Sequence, residues 1–136
     1  MDVATNDPRI RACCNNGGPI APGMIPPEGT FFTKMMACCD LTDKEATQAV
    51  WGSITPAQAG ANADYPLLFV HGGQDPMISG QIAQMGFDAS PTADKQMIVY
   101  SDGDHCIYRH KQDRDMLMSD WMREKLGGHS DQSGQA

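Results

Sequence analysis

The sequence predicts an α/β domain built on a parallel sheet. From residue 64 onward the pattern runs strand, loop, helix, strand, loop, helix, a βαβα unit whose crossover is expected to be right-handed. The first of these strands, "YPLLFVHGG", is a continuous apolar run rather than an alternating one, which a strand covered on both faces requires. At 136 residues the chain is one domain's worth, long enough for a modest core and short for an enzyme of several layers.

Each element has its own local signal. Residues 8–18, "PRIRACCNNGG", read as a short strand stopped by Asn-Asn-Gly-Gly. Residues 19–63 read as a small helical insertion that opens with the Pro/Gly-rich loop "PIAPGMIPPEGT". Within it "FFTKMMACC" is expected to form a short apolar helix and "LTDKEATQAVWGSI" a second. The second helix has Thr42 as its expected N-cap, Glu45 three residues on as a capping box, and Ala46, Ala49 and Val50 at helical spacing. After "YPLLFVHGG", "SGQIAQMGFDAS" predicts a helix capped by Ser79 with an apolar face from Ile82, Met85 and Phe87 or Ala89. "KQMIVY" is the next strand. "DRDMLMSDWMREKLGG" is an amphipathic closing helix with Met116, Leu117, Trp121, Met122 and Leu126 on or near one side and Gly127 as its stop. The tail from residue 127 to 136 is small, polar and expected to be disordered.

Charge narrows the functional classes. A net charge of -7 and a pI near 4.8 argue against nucleic acid and against an acidic membrane surface, because both need a basic stripe. "PLLFV" is too short to span a bilayer and the N-terminus lacks a basic start with an apolar centre, so a soluble, cytoplasmic chain is expected. The five cysteines form two vicinal pairs, Cys13-Cys14 and Cys38-Cys39, plus Cys106. Neighbouring cysteines bridge only with strain and no CxxC spacing is present, so reduced, half-buried thiols are the expectation.

Chemistry in an open parallel sheet belongs outside the carboxyl ends of the strands, where loops converge. Two loops leave such ends here: "HGGQDPM" and "SDGDHC". Asp75 and His105 are thereby expected on neighbouring strands at one rim, where a carboxylate fixes the tautomer of an imidazole and stabilises its protonated form. Asp before His is also the chain order of the α/β-hydrolase triad. Asp75 has a competing role as a cap for the helix near Ser79. Asp102 and Asp104 read as turn formers, His71 as a packing or loop-anchoring residue, and His110 and His129 as surface residues. A Cys106–His105 nucleophile pair is disfavoured because adjacent residues point apart.

On these stretches, "YPLLFVHGGQDPMIS", "KQMIVYSDGDHCIYRH" and "SDWMREKL", the chain resembles the C-terminal part of the α/β-hydrolases. It is most similar to the esterase and carbon–carbon hydrolase group of the FrsA-like and dihydroxypseudooxynicotine hydrolase-like proteins. The resemblance covers residues 7–126 and implies a partial α/β-hydrolase fold: the last three parallel strands, their covering helices and a small helical cap at about 19–63. It assigns the catalytic acid to Asp75 and the catalytic histidine to His105. It implies a small carbonyl substrate, an ester or the carbon–carbon bond of a ketone, with no cofactor or metal. No nucleic-acid or membrane partner is implied, and a homo-oligomer is compatible with it. These enzymes carry their serine in G-x-S-x-G, which in the family precedes "DPRIRA". Ser53 lacks the second glycine, and Ser130 follows no strand. The expectation is therefore a fragment without nucleophile or oxyanion hole, inactive alone. Two alternatives stand beside it: a metal-binding α/β domain using His71, Asp75, Asp104 and His105, and a non-catalytic small-molecule binding domain.

Overall fold

The computed structural model describes residue 4 and residues 7–18, 25–54 and 64–127. Three strands form one parallel sheet in the order β1 (Cys13–Asn16), β2 (Leu67–Gly72), β3 (Lys95–Tyr100). Cys13 pairs with Leu67 and Leu67 with Lys95, so the strands start nearly level and their carboxyl ends share one rim. The middle strand is buried at every position, as its unbroken apolar run requires, because each face of the sheet is covered. On one face Leu67 and Phe69 pack with Tyr65, Phe87 and Met97; on the other Leu68 and Val70 pack with Ile107 and Trp121.

Helix α1 (Gly29–Cys38) and helix α2 (Lys44–Gly52) lie in the predicted insertion; residues 19–24 and 55–63 of that insertion fall outside the described residues. Phe32 and Met35 of α1 pack on Ile78 and Ile82, and the Trp51 indole donates to the Met35 carbonyl at 3.2 Å. The cap of α2 is Asp43, not Thr42: its carboxylate accepts from the Ala46 N–H at 2.7 Å. Both residue types cap helices, but the ionised carboxylate also complements the positive end of the helix dipole.

Helix α3 (Gly80–Ala89) is capped by Ser79, which accepts from the Ile82 N–H at 3.3 Å, as the sequence predicts. Its packed face differs from the expected one. Ala83 and Gly86 are buried, with Ile82 and Phe87 partly buried beside them, whereas Met85 and Ala89 are exposed. Small residues let this helix approach its neighbours, so the buried stripe follows size as much as apolarity. At the helix's far end the Lys95 ammonium donates to the carbonyls of Phe87, Asp88 and Ser90, satisfying acceptors that the last turn leaves open.

A 3-10 turn (His105–His110) leads into helix α4 (Lys111–Gly127). Trp121, Leu117, Met118 and Met122 face the core, but Met116 and Leu126, expected near that side, are exposed. The inward stripe begins instead at Arg114, which is 7% exposed. A cation heading the buried face shifts the register that apolar residues alone suggest. The tail from residue 128 to 136, His129 and Ser130 included, lies outside the described residues. No helix among the described residues is long and apolar enough to cross a membrane.

Candidate active site

The two strand-end loops are locked together by their backbones. Gly73 donates to the Tyr100 carbonyl at 2.7 Å, Gln74 to Gly103 at 2.9 Å, and Gly103 to Tyr100 at 2.9 Å. The approach is close enough that a Cβ on Gly72 would overlap the Asp104 carbonyl oxygen. Glycine is required there because backbone, which cannot swing aside, occupies the space. The sequence marks "HGG" as a strand stop; the structure shows that it also seats the second loop.

This seam brings Asp75 and His105 together. The His105 Nδ1 lies 2.8 Å from the Asp75 Oδ2, and the Asp75 side chain is fully buried while that of His105 is 31% exposed. The other carboxylate oxygen, Oδ1, accepts from the Met77 N–H at 2.7 Å and the Ile78 N–H at 3.0 Å. Asp75 holds the imidazole and orders the loop before α3, but it does not cap that helix, whose cap is Ser79. Burial alone pushes its carboxyl up, but the N–H of Ile78, the imidazole of His105 and the N–H of Met77 outweigh burial and hold it below the ordinary carboxylate value. An ionised carboxylate only accepts, so Nδ1 carries the proton and donates it to Asp75. The Nε2 of His105 has no hydrogen-bond partner among the described residues.

His105 lines a cleft of about 510 Å³ together with Cys106, Gly17, Phe31, Met77 and Ile78. Its walls are largely apolar and come from the end of β1, the start of α1 and the loop after β2. His71, on β2, is 2% exposed and its Nε2 has no hydrogen-bond partner among the described residues. Burial keeps the His71 imidazole below its usual pKa, opposed by the Asp75 charge and reinforced by His105. Burial and the nearby Asp75 push the Cys106 thiol up, Arg114 opposing, which favours the thiol over the thiolate and removes the basis for a Cys106 nucleophile. The Ser53 hydroxyl donates to the Val50 carbonyl at 2.6 Å behind α2.

The rest of the loop holds partners that the sequence did not single out. Asp104 accepts from the Arg109 N–H at 3.1 Å, as a turn former should, but Asp102 pairs with His110 Nε2 at 2.9 Å. His110, expected as a plain surface residue, also stacks on Tyr100 at 5.5 Å between ring centroids. Among the described residues no three His, Cys, Asp or Glu side chains converge to hold an ion.

No family model and no curated protein matches the chain. Solved structures do. The chain superposes on the crystal structure of 2,6-dihydroxy-pseudo-oxynicotine hydrolase with a TM-score of 0.74 at 20% identity, covering 90% of this chain and 35% of that one. It superposes on the esterase domain of a Rhodothermus marinus protein with a TM-score of 0.63 at 16% identity, covering 90% of this chain and 55% of that one. At such identities the likeness is one of fold, and the chain spans between about a third and just over half the length of these structures. With its parallel three-stranded sheet and covering helices, the chain carries part of an α/β-hydrolase fold and resembles the dihydroxy-pseudo-oxynicotine hydrolase and esterase group.

Proposed function

We propose that this chain is the acid–base portion of a serine-type α/β-hydrolase acting on a small, mainly apolar carbonyl substrate. The observation that carries the reading is the 2.8 Å contact between His105 Nδ1 and the buried, ionised Asp75 at the rim of an apolar cleft. In the intact enzyme His105 Nε2 takes the proton of the attacking serine, returns it to the leaving group, and then activates water for the second half-reaction. Asp75 holds the tautomer that leaves Nε2 basic and stabilises the imidazolium as it forms. The serine and the oxyanion donors are assigned to parts of the fold beyond the portion matched here. Helices α1 and α2 act as the cap over the cleft. Ester cleavage is the default reaction, and cleavage of a ketone's carbon–carbon bond is the variant that the family resemblance of the sequence implies.

The test is His105→Ala in an intact enzyme assayed on p-nitrophenyl esters. Turnover is expected to fall by roughly 10³-fold or more, the scale on which triad members act. Unchanged rates overturn the assignment. Residues 1–136 alone are expected to add nothing to the buffer rate, and ester turnover by them would show that the nucleophile is among residues assigned other roles here.

A further inference from the structure

The residue after His105 and the one after that both adopt left-handed backbone conformations: Cys106 at φ 57° and Ile107 at φ 57°. Neither is glycine or asparagine, and a β-branched residue in this region is a genuine outlier that surrounding structure must enforce. The Ile107 N–H donates to the Asp104 carbonyl at 2.9 Å, and two further features enforce the turn. The Ile107 side chain is fully buried among Leu68, Val70 and Trp121, which anchors the second residue of the pair. The carbonyl of the first, Cys106, accepts a hydrogen bond from the guanidinium of Arg114.

Arg114 is itself built into place. Its Nε donates to Asp115 at 2.9 Å, and its guanidinium carbon lies 5.8 Å from the centroid of the Tyr108 ring, so one donor arm is directed at the turn while the others are held. The core contact at Ile107 sets where the turn sits; the bond from Arg114 sets how the Cys106 peptide is rotated. The Cys106 carbonyl lies in the peptide that joins the two left-handed residues, so a change in its rotation is passed back through Cys106 to His105 and to the reach of Nδ1 toward Asp75. An imidazole moved by about 1 Å loses most of the benefit of such a bond.

We propose that Arg114 is a positioning residue for His105: by holding the Cys106 carbonyl it keeps two successive left-handed residues in place and aims the imidazole at Asp75. The proposal rests on the acid–base reading of His105 given above. Arg114 touches neither cleft nor substrate; it acts through the turn. Lysine supplies a compact ammonium with rotatable donors and no planar fork, so it replaces the bond but not its direction.

The experiment uses Arg114→Met and Arg114→Lys, each alone and with Cys106→Gly, because glycine adopts the left-handed conformation without cost. In the chain itself, nuclear magnetic resonance of the His105 ring reads the Nδ1 proton, which is expected at low field and protected from exchange while it bonds Asp75. Arg114→Met is expected to lose that signal, Arg114→Lys to retain part of it, and Cys106→Gly to restore it in the Met background while the folded chain melts at a comparable temperature. In an intact enzyme Arg114→Met is expected to lower kcat by roughly tenfold or more with KM little changed, the pattern of a lost transition-state interaction, and Cys106→Gly to recover most of that loss. A folded Arg114→Met chain with the wild-type Nδ1 signal overturns the proposal. So does a lost signal that Cys106→Gly fails to restore, since Arg114 would then act on stability alone. If Arg114→Met does not fold, the same two outcomes are read from Arg114→Lys. His105→Ala separates the two readings: wild-type turnover in that variant defeats the hydrolase assignment, whereas a dead His105→Ala enzyme beside an unaffected Arg114→Met one defeats only the role of Arg114.

Discussion

The loop from Ser101 to His110 holds two histidines, and each meets an aspartate at almost the same distance: His105 with Asp75 at 2.8 Å and His110 with Asp102 at 2.9 Å. Their surroundings differ. The Asp75 side chain is fully buried and accepts two backbone N–H bonds besides the imidazole, while that of Asp102 is 62% exposed. Water and salt screen the second pair, and it is free to exchange its imidazole for solvent; the first pair is held by a strand-end seam that shields the carboxylate from both. Distance therefore does not separate the Asp75–His105 pair from a surface contact. Burial together with independent anchoring of the carboxylate does.

The largest expected difference between the pairs is in turnover. Asp75→Asn in an intact enzyme should lower kcat by roughly 10³–10⁴-fold, because an amide no longer selects the tautomer that leaves Nε2 basic. Asp102→Asn should leave kcat within about twofold, as an exposed pair contributes little. Comparable losses from the two variants would erase the distinction.

Next in size is the seam itself. Gly72→Ala places a methyl group on the Asp104 carbonyl and should destabilise the chain by about 3 kcal/mol, read from a denaturation midpoint, because two backbones must separate to admit it. A neutral outcome would mean that the loops are not locked and that the Asp75 side is no better anchored than the Asp102 side.

A smaller effect is expected from pH. Burial depresses the His71 imidazole pKa, so the unfolded chain binds more protons than the folded one. The resulting stability is complete above the unfolded value of about 6.5 and is lost as pH falls below it. The denaturation midpoint should thus drop between about pH 7 and pH 5, and the drop should be shallower in His71→Leu. Asp75, held low, contributes in the same sense only further down, as pH falls through the carboxylate range. The smallest effect belongs to His110→Gln, whose stability should stay within about 0.5 kcal/mol of the parent; a larger loss would show that the Tyr100 stack and the Asp102 contact brace the loop.

Much of the dyad is legible in the sequence. "LLFVHGG" and "KQMIVY" are strands by pattern alone, and loops that leave parallel neighbours at the same end must share a rim, which puts Asp75 beside His105. The same reading takes Asp102 for a turn former and does not find its contact with His110. Nor does it find Arg114: the helix pattern rests on apolar residues, and an arginine at the head of a buried stripe sends no apolar signal. Met85, Met116 and Leu126 are misplaced by pattern for the related reason that apolar character says a side chain gains from burial, not that a neighbour is there to bury it.

By itself the sequence determined the order of strands and helices, the double burial of β2 and the rim where chemistry would lie. Each of those follows from periodicity and turn residues within a few positions along the chain. The tertiary structure alone decided which aspartate is desolvated, which helix faces are covered and how the left-handed turn at Cys106–Ile107 is held. Those depend on contacts such as Asp75 with His105, between residues 30 positions apart, whose strength is set by neighbours drawn from several elements at once.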